Sequence, residues 1–279
     1  MTCHTAIANA ATPACQPRAR GTLRLSTKLS GNSTVLDGLR QAGALKGLFP
    51  RGAGGALQAV TLNTAGGITG GDRLSVAMRA APGTTLTVTT QACERIYRAQ
   101  PGQTGHVRNR VRIADGARVN WLPQETLLYD GGALRRSLTV DMATDASLLL
   151  VEPMVFGRAA MGETLTDIRL DDRIEIRRAG QPLYLDAQRL QGDAAAHLRR
   201  PVIADSAGAM VALVFVAAAA AAHLDAVRAA LPATGGASLI RDDVMVLRLL
   251  AADSFELRQV LLPVLQRLLG GDLPRCWMI

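Results

Sequence analysis

Aromatic side chains are scarce in this chain, only 3% of its 279 residues, which leaves few platforms on which bases or sugar rings could stack. Lysine is nearly missing as well: of 31 basic residues, only Lys28 and Lys46 are lysines. A net charge of +8 carried on arginine forks points to pairing with carboxylates, within the fold or across an interface, rather than to nucleic acid. Cys3, Cys15, Cys93 and Cys276 form no Cys-x-x-Cys pair and no disulfide framework for a chain this long, which fits a reducing compartment. The phosphate-loop, dinucleotide and Gly-x-Ser-x-Gly signatures are all absent. The longest apolar run, Ala209 to Ala222, is too short to cross a bilayer. The first residues lack the charged start and apolar core of a secretion signal. The expectation is a soluble cytoplasmic protein with no membrane partner.

Hydrophobic residues at 48% and charged residues at 19% describe a folded globular chain. Its organising stretch is Asn63-Thr64-Ala65-Gly66-Gly67-Ile68-Thr69-Gly70-Gly71-Asp72, two glycine pairs closed by a carboxylate. Glycine lets another backbone approach closely, so the doubled pair predicts a tight connection between buried strands. Val60 to Leu62 leads in and Arg73 to Val76 leads out, both alternating as half-buried strands do.

Three segments repeat a turn, an alternating strand and a polar or proline stop: Ala81 to Gln91, Ala114 to Gln124 and Ala143 to Pro153. Their corners fall at Gly83, Gly116 and Asp145. Evenly spaced short strands with similar corners are what a stacked β-solenoid needs. Further alternating strands are predicted over Thr22 to Leu29, Val107 to Ile113, Leu134 to Val140, Leu165 to Ile176 and Leu183 to Leu185. Residues 1–20 read as a disordered tail in which Cys3, His4 and Cys15 bind metal only adventitiously, and Val35 to Gly55 as loop with Leu45, Leu48 and Phe49 as anchors. After Pro201 the pattern predicts a buried strand over Val211 to Val216, a helix over Ala217 to Leu231 and one strand over Leu239 to Leu250. A last helix, capped by Ser254 and containing Pro263, ends at Gly270. The fold class expected is mainly β (α+β): a solenoid-like core over 21–205, with a strand-helix portion over 206–279 packed on the same domain.

Three further motifs end apolar strands with acids: Thr89 to Arg98, Trp121 to Gly132, and Glu152 through Gly157-Arg158 to Glu163. Together with the glycine stretch, Arg178 to Pro182, Leu185-Asp186-Ala187-Gln188-Arg189-Leu190 and Leu273-Pro274-Arg275-Cys276-Trp277, they resemble the urease accessory protein UreD family, also called UreH. The resemblance runs from Thr22 onward. It implies a mostly β, non-enzymatic scaffold for urease maturation. Such a scaffold binds apo-urease on one side and UreF on another, and UreF brings the GTPase UreG that carries nickel. It implies GTP-dependent nickel insertion assisted by an internal channel, no tightly bound cofactor, and Ni²⁺ only in transit.

The family-like motifs single out Gly66, Gly67, Gly70, Gly71, Tyr97, Arg98, Gly157, Arg158 and Arg189 as structural positions. Asp72, Glu152, Glu163 and Asp186 are the candidate nickel-passage carboxylates, weak enough as ligands to pass a cation on. The competing reading pairs them with Arg73, Arg158 or Arg189. His4, His106, His197 and His223 are scattered, which disfavours tight nickel storage. The alternatives are a carbohydrate-active or purely structural β-solenoid, the former poorly supplied with aromatic platforms.

Overall fold

A computed structural model describes residues 16–50 and 55–278. The expected tail, with Cys3, His4 and Cys15, lies outside the described residues as far as residue 15. From Ala19 the chain is tied to its own body: Ala19 N–H donates to Asp72, and its carbonyl accepts from Arg73 N–H at 2.9 Å.

The described chain is 53% strand and 15% helix, arranged as a solenoid of about four coils. It opens with β1 (Arg20–Ser30), β2 (Ser33–Gly43), β3 (Leu45–Leu48) and β4 (Leu57–Asn63). The loop expected from Val35 is therefore corrected to two strands. β2 is an edge strand whose side chains are largely exposed, so it shows no apolar alternation; its register comes from antiparallel pairing to β1. Of the expected anchors, Leu45 is buried and Phe49 partly so, whereas Leu48 is 55% exposed.

The coils follow through β5 (Arg73–Ala80), β6 (Thr85–Thr90), β7 (Glu94–Ile96), β8 (Gly105–Ile113), β9 (Arg118–Leu122), β10 (Thr126–Leu128), β11 (Ala133–Met142), β12 (Ser147–Phe156) and β13 (Ile168–Arg178). Each coil gives one strand to a first sheet, one to a second and a short run to a third side. In the first sheet β1, β5, β8, β11 and β13 are parallel neighbours. In the second, β4, β6, β9 and β12 are. The repeated segments fall in register, Thr85 against Arg118 and Arg118 against Ser147. Their corners stack, with Gly83 N–H donating to Asp115 O at 2.9 Å.

The exposed edges of this stack are closed by antiparallel strands, which blunts unwanted pairing. β2 covers β1, β3 covers β4, and β14 (Gln181–Gly192) turns back on β13. The short α1 (Ala194–Leu198) follows, a helix inside the 21–205 region expected to be a solenoid-like core. The second sheet then grows by β15 (Ala209–Val216) on β12, and after α2 (Ala220–Ala230) by the hairpin β16 (Gly235–Arg241) and β17 (Val244–Ala251). The single strand expected over Leu239 to Leu250 is thus a hairpin, turned at Asp242 and Asp243. α3 (Ser254–Leu269) is capped by Asp253, one residue before the expected Ser254, with its side chain accepting from Glu256 N–H.

Two cores result. Leu148 and Leu150 of β12 face the coil interior with Leu86, Val119 and Leu138. Leu149 and Val151 face the other way, against Leu257, Leu261 and Leu265 of α3. This double burial is why Leu148 to Val151 is uninterrupted by polar residues.

Candidate functional site

The alternation that builds the coils also carries charge inward. On β11 the buried positions are Ala133, Leu134, Arg136, Leu138, Val140 and Met142; on β13 they are Ile168, Leu170, Asp172, Ile174 and Ile176. Arg136 and Asp172 are in register. Their side chains form a two-pronged pair, Nε–Oδ1 at 2.9 Å and Nη2–Oδ2 at 2.6 Å. Arg136 Nη1 also lies 2.7 Å from Glu152 Oε2, an ion contact without a directed hydrogen bond, and donates to Thr126 Oγ1 at 2.9 Å. Glu152 Oε1 accepts from Trp121 Nε1 at 2.8 Å. Burial works against the charge on Arg136, but Asp172 and Glu152 outweigh it and hold its pKa above the ordinary arginine value. Burial pushes Glu152 up even with Arg136 beside it, and the Asp172 charge adds to that rise. Two carboxylates around one guanidinium leave one excess negative charge when all are ionised.

Glu94 opens β7 at an inward position, between exposed Arg95 and its own partners. Asn63 Nδ2 donates to both its oxygens, at 3.1 and 3.3 Å. Burial pushes the Glu94 carboxyl from 4.5 up to about 7, against the pull of that hydrogen bond. Asn63, Cys93, Glu94, Asn109, Arg136 and Glu152 line one partly open cavity of about 190 Å³ that reaches into the coil interior, room for several waters. The segment from Gln91 to Cys93, with Gln124, also lines an outer groove of about 410 Å³ against Glu125, Arg258 and Cys276. Arg258 of α3 reaches Glu125 there at 2.6 and 2.9 Å and stands over the Trp277 ring. One wall is therefore shared between the interior and the surface.

Of the four candidate acids, only Glu152 lines this cavity. Asp72 is buried but points to backbone, accepting from Ala19 N–H at 2.7 Å and Thr69 N–H at 2.8 Å; it does not pair with Arg73. Glu163 is held by Arg158 at 2.9 and 2.8 Å, as the competing reading expects, and Arg158 keeps its pKa low. Asp186 pairs with Arg248 of β17, not with Arg189, and so clasps the two sheets together. Arg189 is exposed, opposite Asp171 in register. No group of three His, Cys, Asp or Glu side chains suited to a metal converges among the described residues.

Apart from Arg189 on β14, the structural positions gather at stacked corners on the third side. Ile68 is buried and exchanges backbone bonds with Arg95 and Tyr97, both at 2.8 Å. A Cβ on Gly67 would lie 2.3 Å from the Tyr97 ring, and one on Gly70 2.6 Å from Gln103, which explains glycine on each side of Ile68. Gly66 donates to Asn63 O and Gly71 to Thr104 O. Tyr97 meets Tyr129 edge-on at 5.3 Å, Arg158 covers Tyr129 at 4.2 Å, and Arg98 pairs with Asp130 at 2.5 Å. Gly157 N–H donates to Leu128 O at 2.8 Å.

Glu94, Arg136 and Asp172 are the site residues that reading the sequence missed. For Arg136 and Asp172 the signal was present: each stands two positions from apolar residues in an alternating run, on the face they bury, whereas Glu94 has only Ile96 as such a neighbour.

Known proteins resemble this chain over most of its length. The family profile described as UreD urease accessory protein matches residues 19–278. A urease accessory protein UreD of Ruegeria pomeroyi is 59% identical over 257 residues, covering 92% of this chain and 100% of that protein. Those of Roseobacter denitrificans and Brucella suis are 51% and 40% identical, covering 96% and 94% of this chain and 98% and 95% of their own lengths.

Proposed function

The chain belongs to the UreD family of urease accessory proteins, and from that premise we propose that it is a non-catalytic scaffold through whose interior nickel passes to apo-urease. A role in urease maturation follows from the family. The finer reading has apo-urease on one side and UreF on another, with the GTPase UreG recruited through UreF and insertion driven by GTP.

The observation that carries this reading is the group of polar side chains, Asn63, Glu94, Asn109, Arg136 and Glu152, that line one cavity among the apolar residues of the solenoid. Ni²⁺ is cargo there, not a resident cofactor. A carrier of cargo needs donors that bind weakly and let go, and isolated carboxylates and amides do so where imidazole and thiolate sets do not. Glu94 suits the task best. Near neutral pH its carboxyl is balanced between protonated and ionised, so an arriving cation can displace the proton at little cost. Arg136 is committed on both sides to Glu152 and Asp172, which keeps those acids in place rather than free to trap the ion. Cys93 and Gln124 sit in the wall between this cavity and the outer groove, so a shift of that wall would connect the interior to a docked partner.

The test is co-expression of the urease operon with and without this chain. The tagged chain should retain UreF and apo-urease, and urease made without it should contain little nickel. Nickel-replete urease in its absence, or no retention of either protein, contradicts the reading.

A further inference from the structure

The maturation reading leaves one face of the molecule unused. Along β1, β5 and β8 the inward positions are apolar apart from Thr27 and Asn109, and the outward positions carry Arg24, Arg73, Arg79, Arg108, Arg110 and Arg112, all exposed. Register stacks these charges. Arg79 faces Arg112 directly, Arg73 is next to His106, and Ala77 alone separates Arg24 from Arg110. Neighbouring strands lie about 4.8 Å apart, so like charges opposed in this way repel. Among the described residues none of these six arginines makes a side-chain hydrogen bond or ion pair. The acids of this sheet lie at the margins of the face: Asp37 of β2 pairs with Lys28, Asp141 of β11 stands in register beside Arg112 without an ion pair, and on β13 Asp171 pairs with Arg135 and Glu175 with Arg173 and Arg177. Burial and the arginines at 135, 73 and 108 together lower the pKa of His106, so the cations act on one another.

A ladder of unpaired arginines destabilises the sheet that carries it and contributes nothing to the core. It makes physical sense as a surface that is neutralised on assembly. We propose that the outer face of the first sheet over β1, β5 and β8 docks a partner protein through an aspartate- and glutamate-rich face.

The composition of the face selects this occupant over other polyanions. Guanidinium forks grip carboxylates two-pronged, and a sheet presents them at fixed spacing to a folded surface. No Phe, Tyr or Trp occurs in β1, β5, β8, β11 or β13, so single-stranded nucleic acid finds nothing to stack on. The strands present a broad surface without a projecting helix, which gives no element to enter a duplex groove. β5 and β8 expose no large apolar side chain, and β1 exposes only Leu29 near its end, too little to anchor in a lipid surface. Asp171 and Glu175 at one margin would oppose a continuous phosphate chain but complement a mixed protein surface.

The test titrates the purified full-length chain with labelled poly-L-glutamate, with a DNA duplex of matched charge and with phosphatidylglycerol vesicles, at low and high salt. The wild-type chain should bind polyglutamate most tightly and lose it at high salt. The triple variant Arg73→Gln, Arg108→Gln, Arg110→Gln should lose about tenfold or more in affinity. A control with the same charge change elsewhere, Arg199→Gln, Arg200→Gln, Arg267→Gln, should bind as wild type. If the triple variant unfolds early, Arg110→Gln alone should still weaken binding about threefold. Absence of polyglutamate binding, equal loss in the control, or tighter binding to DNA or vesicles overturns the proposal. None of these probes comes from the urease system, so this result and the maturation reading fail independently.

Discussion

Arg136 and Asp172 face each other in register on neighbouring strands and close a two-pronged ion pair inside the solenoid, with both side chains at most 10% exposed. Removing the shared guanidinium leaves Asp172 and Glu152 without a cation in a low-dielectric interior. Arg136→Ala should therefore cost about 3–5 kcal/mol in urea unfolding. Replacing Arg136, Asp172 and Glu152 together by Met, Leu and Leu should recover most of that loss, because no unpaired charge remains. A cost for Arg136→Ala below about 1 kcal/mol, the range of exposed pairs, would mean the triad is hydrated.

Glu94 makes stability depend on pH. Its folded pKa of about 7 lies above the ordinary 4.5, so the folded state holds the proton more tightly than the unfolded one. The stability this contributes is full below 4.5 and is lost as pH rises through 7, amounting to at most about 3 kcal/mol. Glu94→Gln should remove that slope, and the difference in melting temperature between variant and wild type should grow in favour of the variant from pH 4.5 to 7. A constant difference across this window would place the carboxyl in water.

The glycines around Ile68 should not be equivalent. Gly67→Ala and Gly70→Ala drive a Cβ into Tyr97 and into Gln103 and should cost a few kcal/mol. Gly66 has open space at its Cβ, and its cost should stay near the 1–2 kcal/mol of a left-handed backbone. Thermal melts of the three single variants check this ordering.

Asp72 clips two backbone amides, those of Ala19 and Thr69. Asp72→Ala leaves two backbone donors without their acceptor and should cost about 1–3 kcal/mol, with nickel loading of urease unchanged in the protein that folds. Asp72→Asn retains an acceptor oxygen and should lose less. Impaired loading by a fully stable Asp72→Ala would restore Asp72 to the nickel path.

Most of the architecture was legible because the solenoid repeats its own grammar. Turns at Gly83, Gly116 and Asp145 announce the coils, and each strand alternates so clearly that its inner face can be read directly. β2 was not legible, since an exposed edge strand has no apolar period and takes its shape from β1. The hairpin of β16 and β17 was hidden by a nearly continuous apolar run from Leu239 to Leu250, broken only at its Arg241 to Asp243 turn and at Arg248. At the site, motif resemblance drew the eye to acids at corners, where Asp72, Glu163 and Asp186 turn out to have structural partners. The cavity acids were readable by a different rule, a charge on the buried face of a strand. Which inward charges meet depends on coil register, and that emerges only when the strands are stacked.

The most direct test of nickel passage is nickel per urease active site after co-expression with Glu94→Gln. The amide matches the protonated acid in shape, so the variant should fold and retain UreF and apo-urease as the wild type does, yet it cannot ionise to meet a cation. The account predicts urease with clearly reduced nickel content at normal yield. Wild-type nickel content with this variant would contradict passage of the ion through the cavity.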